Sequence, residues 1–193
     1  EATANLFDSD GFSLTGDIVE ERDEDYLVLI DRRKDVLKLS QGEYVALGRI
    51  GTIFEAESDI IQQIYVYGNS HKSYVVAVIV PDQDALKASL GETPSQQAIN
   101  QLIRKELSKA GESASLKSFE IPRSFIIETE PFTQKNGLLS SVRKKLRPAL
   151  KKKYAPSLEA IYEAGEKKRD DQLKALKDPS STLTTKDKLR ILL

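Results

Sequence analysis

The stretch YVVAVIV, residues 74–80, decides the fold class of this chain. From its second residue onward it is continuously apolar and rich in β-branched side chains, which predicts a strand covered on both faces. The stretch IIQQIYVY, residues 60–67, predicts a second strand, and polar residues 68–72 join the two. A third, short strand is predicted over Ser124–Glu128. The central sheet is therefore expected to be assembled from separated segments of the chain.

Two helices are predicted where apolar residues recur every three or four positions. They cover residues 46–57 and residues 95–110. Gly48 and Gly51 fall inside the first of these helices, and glycine is a poor helix former. We therefore expect a mild local penalty there and no loss of a site.

The C-terminal third of the chain is strongly charged. Residues 141–153 predict a basic helix interrupted by Pro148. Residues 157–177 predict a polar helix that a globular core hardly needs, so we interpret it as a connector. A further helix is predicted over residues 184–193, with Thr185 as its cap.

The N-terminal part predicts two β-hairpins after an irregular lead-in. In each, apolar or alternating segments flank a polar turn, at Asp23–Asp25 and at Ser40–Glu43. The predicted strands are residues 17–22, 26–31, 36–39 and 44–45. The predicted fold class is α+β: a short mixed sheet flanked by helices, preceded by a β-hairpin and followed by a helical linker.

Composition limits the possible classes of function. The chain has 193 residues with a net charge of -1, so it carries no nucleic-acid-binding signature. It has no cysteine and a single histidine, His71, in a polar turn, which argues against thiolate or multi-histidine metal sites. No apolar run reaches the roughly 20 residues that span a membrane, and no signal peptide is visible, so a soluble, cytoplasmic protein is expected. The first residue is not methionine, from which we expect a fragment or a processed chain.

Three motifs carry the functional prediction. They are FSLTGD at residues 12–17, DRRKDVLKLSQGEY at residues 31–44 and PFTQKNGLLSSVRK at residues 131–144. Each alone is weak, because turns and solvated charged loops have similar composition. In this order and at this spacing they form a stronger pattern.

Together the motifs resemble the late motifs of the adenylate-forming superfamily, which includes acyl-CoA synthetases, adenylation domains of nonribosomal peptide synthetases and luciferases. Residues 37–45 and 136–139 resemble long-chain acyl-CoA synthetases and carboxylic acid reductases, and the basic stretch ending at Arg147-Pro148 is closer to the reductases. The resemblance implies activation of a carboxylic acid as acyl-AMP with ATP and Mg²⁺. It also implies transfer to a phosphopantetheine thiol, and reduction with NADPH elsewhere in the parent enzyme.

The resemblance also implies roles for individual residues. Asp17 would hold the ribose hydroxyls of ATP, and Arg32 would add contacts near the ribose or the phosphates. Lys34 matches the hinge about which a mobile small domain rotates. Lys144 matches the catalytic lysine, since it lies seven residues after Gly137 (144 − 137 = 7), although Lys145 adjoins it. No metal ligand is predicted in this chain.

The same resemblance divides the chain into three parts and names its partners. Residues 1–33 would end the large adenylation subdomain, residues 34–154 would form the C-terminal subdomain, and residues 155–193 would lead to a carrier domain. Partners would be the upstream large subdomain, the downstream carrier and a carboxylic acid, with no nucleic acid and no membrane span. Gly42, in the Ser40–Glu43 loop, is expected to adopt positive φ or to permit a close approach.

Two other functions stay open from the sequence. A stand-alone long-chain acyl-CoA ligase would use the same motifs but pass the acyl group to CoA. A small α+β interaction module without catalysis would keep only the fold. We find no Ser/Thr/Gly-rich phosphate loop in the sequence, so the chain is expected to hold only part of an active site.

Overall fold

A computed structural model of the chain describes residues 7–22 and 26–177, with side chains up to residue 171. The predicted turn at residues 23–25 and the predicted helix at residues 184–193 lie outside these. The strands are β1 (Asp17–Arg22), β2 (Tyr26–Arg32), β3 (Val36–Lys38), β4 (Tyr44–Ala46), β5 (Ile61–Tyr67), β6 (Val76–Pro81) and β7 (Ser124–Ile127). The helices are α1 (Leu47–Glu57), α2 (Gln83–Leu90), α3 (Gln96–Ser113) and α4 (Arg147–Lys177).

The central sheet is the mixed sheet that the sequence predicts. Its order is β5-β6-β7, with β6 antiparallel to β5 and parallel to β7. Alternate residues of β6 enter two different cores. Ala77 and Ile79 pack in the core shared with α1 and α3, whereas Val76 and Val78 pack in the core shared with α4. The prediction that this strand is covered on both faces is confirmed, and so is the α+β fold class.

Both predicted hairpins are present. β1 pairs antiparallel with β2, and β3 pairs antiparallel with β4. Gly42, between β3 and β4, has a φ of +93°, which confirms the predicted positive φ. A Cβ at Gly42 would meet no atom within 4 Å, so backbone conformation and not a close approach accounts for this glycine.

The predicted basic helix over residues 141–153 is wrong in its first part. Residues 141–146 are not helical, and α4 begins at Arg147. Pro148 therefore lies in the first turn of α4, where its missing N–H has no intrahelical partner to lose. The helix then continues through Pro156.

The connector interpretation of residues 157–177 is wrong for the first turns of this segment. Leu158 and Tyr162 are fully buried. The Tyr162 hydroxyl donates a hydrogen bond to the backbone oxygen of Tyr74 at 2.8 Å. A core therefore needs this part of α4, and the predicted boundary between residues 154 and 155 falls inside one continuous helix. The division into three parts stays a prediction.

No helix among the described residues is both long and apolar enough to cross a membrane.

Candidate functional site

A cleft opens between the β1–β2 hairpin, helix α1 and the loop that precedes α4. Asp17, Arg32 and Lys144, three of the four predicted site residues, line it. The fourth, Lys34, lies exposed in the turn between β2 and β3 and is not part of the lining. The structure thus brings together residues that are up to 127 positions apart (144 − 17 = 127).

The hairpin register places Asp17 beside Arg32. The two residues are paired across β1 and β2, and the Arg32 Nε lies 3.6 Å from the Asp17 Oδ1. The backbone N–H of Arg33 donates to the Gly16 oxygen at 2.8 Å, which closes this end of the hairpin. The Asp17 side chain stays one-third exposed (33%), so its carboxylate can still accept hydrogen bonds from a diol.

A tight loop fixes the backbone of Lys144. Leu139 and Lys145 form an antiparallel bridge, and the Ser140 N–H donates to the Lys144 oxygen at 2.8 Å. The Ser140 hydroxyl in turn accepts the Lys144 N–H at 3.0 Å. Arg143 adopts a φ of +58°, which a helix does not allow. These contacts explain why the segment is a loop, and they leave the Lys144 side chain exposed.

The base of this loop is held by the core and by the sheet. Phe132 and Leu138 are buried in the core that contains α4. The Gln63 side chain accepts the Phe132 N–H at 2.7 Å and donates to the Phe132 oxygen at 3.1 Å. Because both backbone groups of Phe132 are satisfied by one side chain on β5, the loop starts from a fixed point of the sheet.

The two adjacent lysines have different surroundings. The Lys145 Nζ lies 2.5 Å from the Glu55 Oε1, and its side chain is only 24% exposed. Lys144 is exposed and makes no salt bridge with any residue that the structure describes. The arrangement favours Lys144 as the cation available to a ligand, a distinction that motif spacing alone could only suggest.

The cleft has an excess of available positive charge. Most of its carboxylates are already paired: Asp17 with Arg32, Asp35 with Arg147 at 2.8 Å, and Glu55 with Lys145. Three bases of the lining have no salt bridge to any described residue: Arg49, Arg143 and Lys144. Guanidinium and ammonium groups arranged in this way suit a phosphate-bearing anion.

The pair Asp35–Arg147 joins the turn at Lys34 to the start of α4. Burial raises the pKa of Asp35, and the nearby Arg147 guanidinium opposes that shift. Arg147 also donates to the Val66 oxygen at 2.9 Å and stacks over the Tyr65 ring. This arginine is therefore a structural anchor, in contrast to the unpaired bases of the cleft.

The described residues contain no group of three or more His, Cys, Asp or Glu side chains that could hold a metal ion. Three residues of the cleft lining receive no role from the sequence, although two of them stand inside the quoted motifs: Asp31, Glu55 and Ser140. Each acts through a contact with a residue in another segment or across a turn, which local periodicity does not reveal.

The fold and this cleft define a small α+β unit in which three bases without a salt bridge to any described residue line an open cleft. The chain belongs to the family of AMP-binding enzyme C-terminal domains, which matches residues 34–166. A carboxylic acid reductase of Mycobacterium marinum is 45% identical over 177 residues, which are 92% of this chain and 15% of that protein. Long-chain-fatty-acid–CoA ligase 5 of Mus musculus is 35% identical over 85% of this chain and 25% of the ligase.

Solved structures agree with these relatives. The A-PCP didomain of carboxylic acid reductase from Segniliparus rugosus, in complex with AMP, matches with a TM-score of 0.81 and 44% identity, over 91% of this chain and 24% of that chain. The A domain of the same enzyme, in complex with AMP and a co-purified carboxylic acid, matches with a TM-score of 0.77 and 46% identity, over 85% of this chain and 25% of that chain. The predicted resemblance to adenylate-forming enzymes is confirmed. The chain spans only about a seventh to a quarter of the length of these proteins.

Proposed function

We propose that this chain is the C-terminal part of an adenylation domain in a carboxylic acid reductase-like multidomain enzyme. The observation that carries the proposal is the cleft that Asp17, Arg32 and Lys144 line together. The AMP and the carboxylic acid in the matched reductase domains support a nucleotide and an acid as the ligands of the longer protein.

In this proposal the hairpin holds the nucleoside end of ATP. Asp17 accepts hydrogen bonds from the two ribose hydroxyls, for which an ionised carboxylate is well suited. Arg32 restrains Asp17 and reaches the ribose or a phosphate oxygen. The unpaired Arg143, next to Lys144, adds positive charge to the phosphate end.

Lys144 stabilises the transition state of acid activation. A carboxylate oxygen of the acid bonds to the α-phosphorus, the bond from that phosphorus to the bridging oxygen breaks, and pyrophosphate leaves with the electron pair. Negative charge grows on the phosphoryl oxygens, and the Lys144 ammonium offsets it. Mg²⁺ bound to the phosphates would share this charge. Losing one such contact costs on the order of 10²–10³ in rate.

The acyl group then passes to a phosphopantetheine thiol on a carrier domain, with NADPH reducing the thioester elsewhere in the longer protein. The carrier is supported by the matched A-PCP didomain. Lys34 is the proposed hinge, because it lies exposed in the turn between the hairpin that carries Asp17 and the unit that carries Lys144.

A long-chain acyl-CoA ligase is the second candidate function. The 35% identity to the Mus musculus ligase over 85% of this chain favours it. The two candidates share the first reaction and differ in the acceptor, which is a carrier thiol in one and CoA in the other.

The test uses the longer protein that contains this chain, with ATP, Mg²⁺ and a panel of carboxylic acids. Pyrophosphate release and NADPH oxidation are followed for the wild type, Lys144→Ala and Lys152→Ala. Lys152 is an exposed lysine of α4 outside the cleft, so it serves as the matched control. We expect Lys144→Ala to slow pyrophosphate release at least a hundredfold and Lys152→Ala to leave it unchanged.

Three results would change the conclusion. Equal rates for the two lysine variants would refute the role of Lys144. Pyrophosphate release without NADPH oxidation, restored to multiple turnovers by CoA, would establish the ligase. If the wild type releases no pyrophosphate when a carboxylic acid is added, both the reductase and the ligase proposals are refuted.

A further inference from the structure

The N-terminus of helix α1 lacks a cap of its own. Its N-cap residue is Ala46, which offers no side-chain acceptor, and its first turn contains no acidic residue. Helix N-termini ordinarily recruit a nearby Ser, Thr, Asp or Asn to satisfy the first backbone N–H groups.

The missing cap comes from Asp31, on the far side of the turn at Lys34. The Asp31 Oδ2 accepts the N–H of Gly48 at 2.9 Å and the N–H of Arg49 at 3.2 Å. Its negative charge also complements the positive end of the helix dipole. Asp31 lies at the end of β2 and is followed directly by Arg32.

Glycine at position 48 leaves room for the Asp31 carboxylate where it accepts these two N–H groups. A Cβ on Gly48 would lie 2.8 Å from the Asp31 Oδ1 and 3.0 Å from the Oδ2. The φ of Gly48 is not positive, so backbone conformation does not require a glycine here. The close approach of the Asp31 carboxylate accounts for it instead. Gly51, one turn later, shows no such crowding: a Cβ there would make ordinary contacts at 3.7 Å or more.

The other end of α1 contacts the loop between Leu139 and Lys145, called here the Lys144 loop. Glu55, in the last turns of the helix, binds Lys145 at 2.5 Å. Helix α1 therefore connects the two sides of the cleft. Asp31 ties its start to the strand that carries Arg32, and Glu55 ties its end to the loop that carries Lys144.

We propose that Asp31, admitted by Gly48, is a positioning residue that fixes α1 and thereby holds Lys144 opposite Asp17 and Arg32. This inference rests on the proposed function, in which acid activation needs Lys144 in the cleft and thiol transfer follows a movement about Lys34. Loss of the cap should consequently slow activation selectively. It should also expose the turn at Lys34.

The variants are Asp31→Ala, Asp31→Asn, Gly48→Ala and the control Gly51→Ala, in the longer protein. Alanine is a better helix former than glycine, so Gly48→Ala strengthens the helix locally while it displaces the cap. Asparagine is also an effective cap, so Asp31→Asn should keep most of the function. Lys144→Ala is measured alongside.

Acyl-AMP formation is measured as pyrophosphate release, and transfer is measured separately from chemically prepared acyl-AMP to the carrier thiol. We expect Asp31→Ala and Gly48→Ala to slow acyl-AMP formation about fivefold, the size of a lost cap, without slowing transfer. Asp31→Asn and Gly51→Ala should stay close to the wild type.

A physical readout accompanies the kinetics. Trypsin cleavage after Arg33 and Lys34, identified by mass, should be faster in Asp31→Ala and Gly48→Ala than in Gly51→Ala. Equal cleavage, or an equal loss in both half-reactions, would overturn the positioning role. If Lys144→Ala leaves acyl-AMP formation intact, the proposed function fails, while the cleavage rates still decide whether Asp31 holds the two parts together.

Discussion

Replacing Leu158 by alanine tests whether α4 belongs to the core beyond the predicted domain boundary. Leu158 is fully buried and packs in the cluster that contains Tyr65, Val78, Leu150 and Tyr162. If residues 155–193 were only a linker, the substitution would have little effect. If the helix covers the sheet, the substitution leaves a cavity.

The magnitude follows from the atoms removed. Leucine to alanine deletes three buried carbons, worth about 0.8 kcal/mol each, or about 2.4 kcal/mol in transfer free energy. The unfilled cavity adds to this, which gives an expected loss of about 3 kcal/mol within the usual range for buried leucines. Alanine favours helix, so lost helix propensity contributes little. For a chain of this size the midpoint of thermal unfolding should fall by roughly 6–12 °C.

The assay is urea unfolding of the 193-residue chain, followed by far-ultraviolet circular dichroism. Lys152→Ala, on the exposed face of the same helix, should change the free energy of unfolding by less than about 0.5 kcal/mol. A loss below about 1 kcal/mol for Leu158→Ala would refute the reasoning. It would mean that the sheet face is stable without this part of α4 and that the predicted boundary at residues 154 and 155 is sound.

Two further predictions concern single hydrogen bonds. Ser140→Ala removes the acceptor for the Lys144 N–H, so the kcat of pyrophosphate release should fall about fivefold, the size of one net hydrogen bond. Ser140→Thr keeps a hydroxyl and should stay near the wild type. Equal effects of the two substitutions would contradict this role of Ser140. Burial by itself would raise the pKa of Glu128, but hydrogen bonds from the Tyr154 hydroxyl and from backbone N–H groups, together with Lys153, outweigh it and lower that pKa. The resulting stability is fully present above the ordinary value of 4.5 and is lost as pH falls through the lowered pKa. Tyr154→Phe should therefore lower stability at pH 7 and flatten its decline in acid, as urea titrations from pH 7 to pH 3 would show.

The sequence was most informative where structure depends on local periodicity. Helix α1 was predicted over residues 46–57 and spans Leu47–Glu57, and the third strand of the sheet was predicted over Ser124–Glu128 and spans Ser124–Ile127. Each of these elements buries one or two regular faces, so its side-chain pattern records its environment. The motif residues that line the cleft could also be named, because their spacing resembles a known pattern.

The sequence was least informative where one side chain controls a distant backbone. The sequence pattern does not predict helix α2, since this helix buries only Leu86 and relies on the Asp82 carboxylate, which accepts the Ala85 N–H at 2.9 Å. The basic residues of the loop at 141–146 are good helix formers and therefore predict a helix, but the hydrogen bond between the Ser140 hydroxyl and the Lys144 N–H favours a loop there.

Gly48 shows most clearly how local and distant requirements conflict in this protein. Considered alone, Gly48 destabilises helix α1, because glycine inside a helix costs roughly 0.5–1 kcal/mol relative to alanine. A helix cap contributes about 1 kcal/mol, and a Cβ at position 48 would displace the Asp31 carboxylate from the place where it supplies this cap. The two terms nearly cancel in stability, so stability alone gives little reason for this pair. What the pair adds is a connection across the turn at Lys34, between the strand that carries Arg32 and the helix that anchors the Lys144 loop. A contact that contributes little to net stability yet links the two sides of a cleft can be broken and remade at small cost, which is what a movement about Lys34 would require.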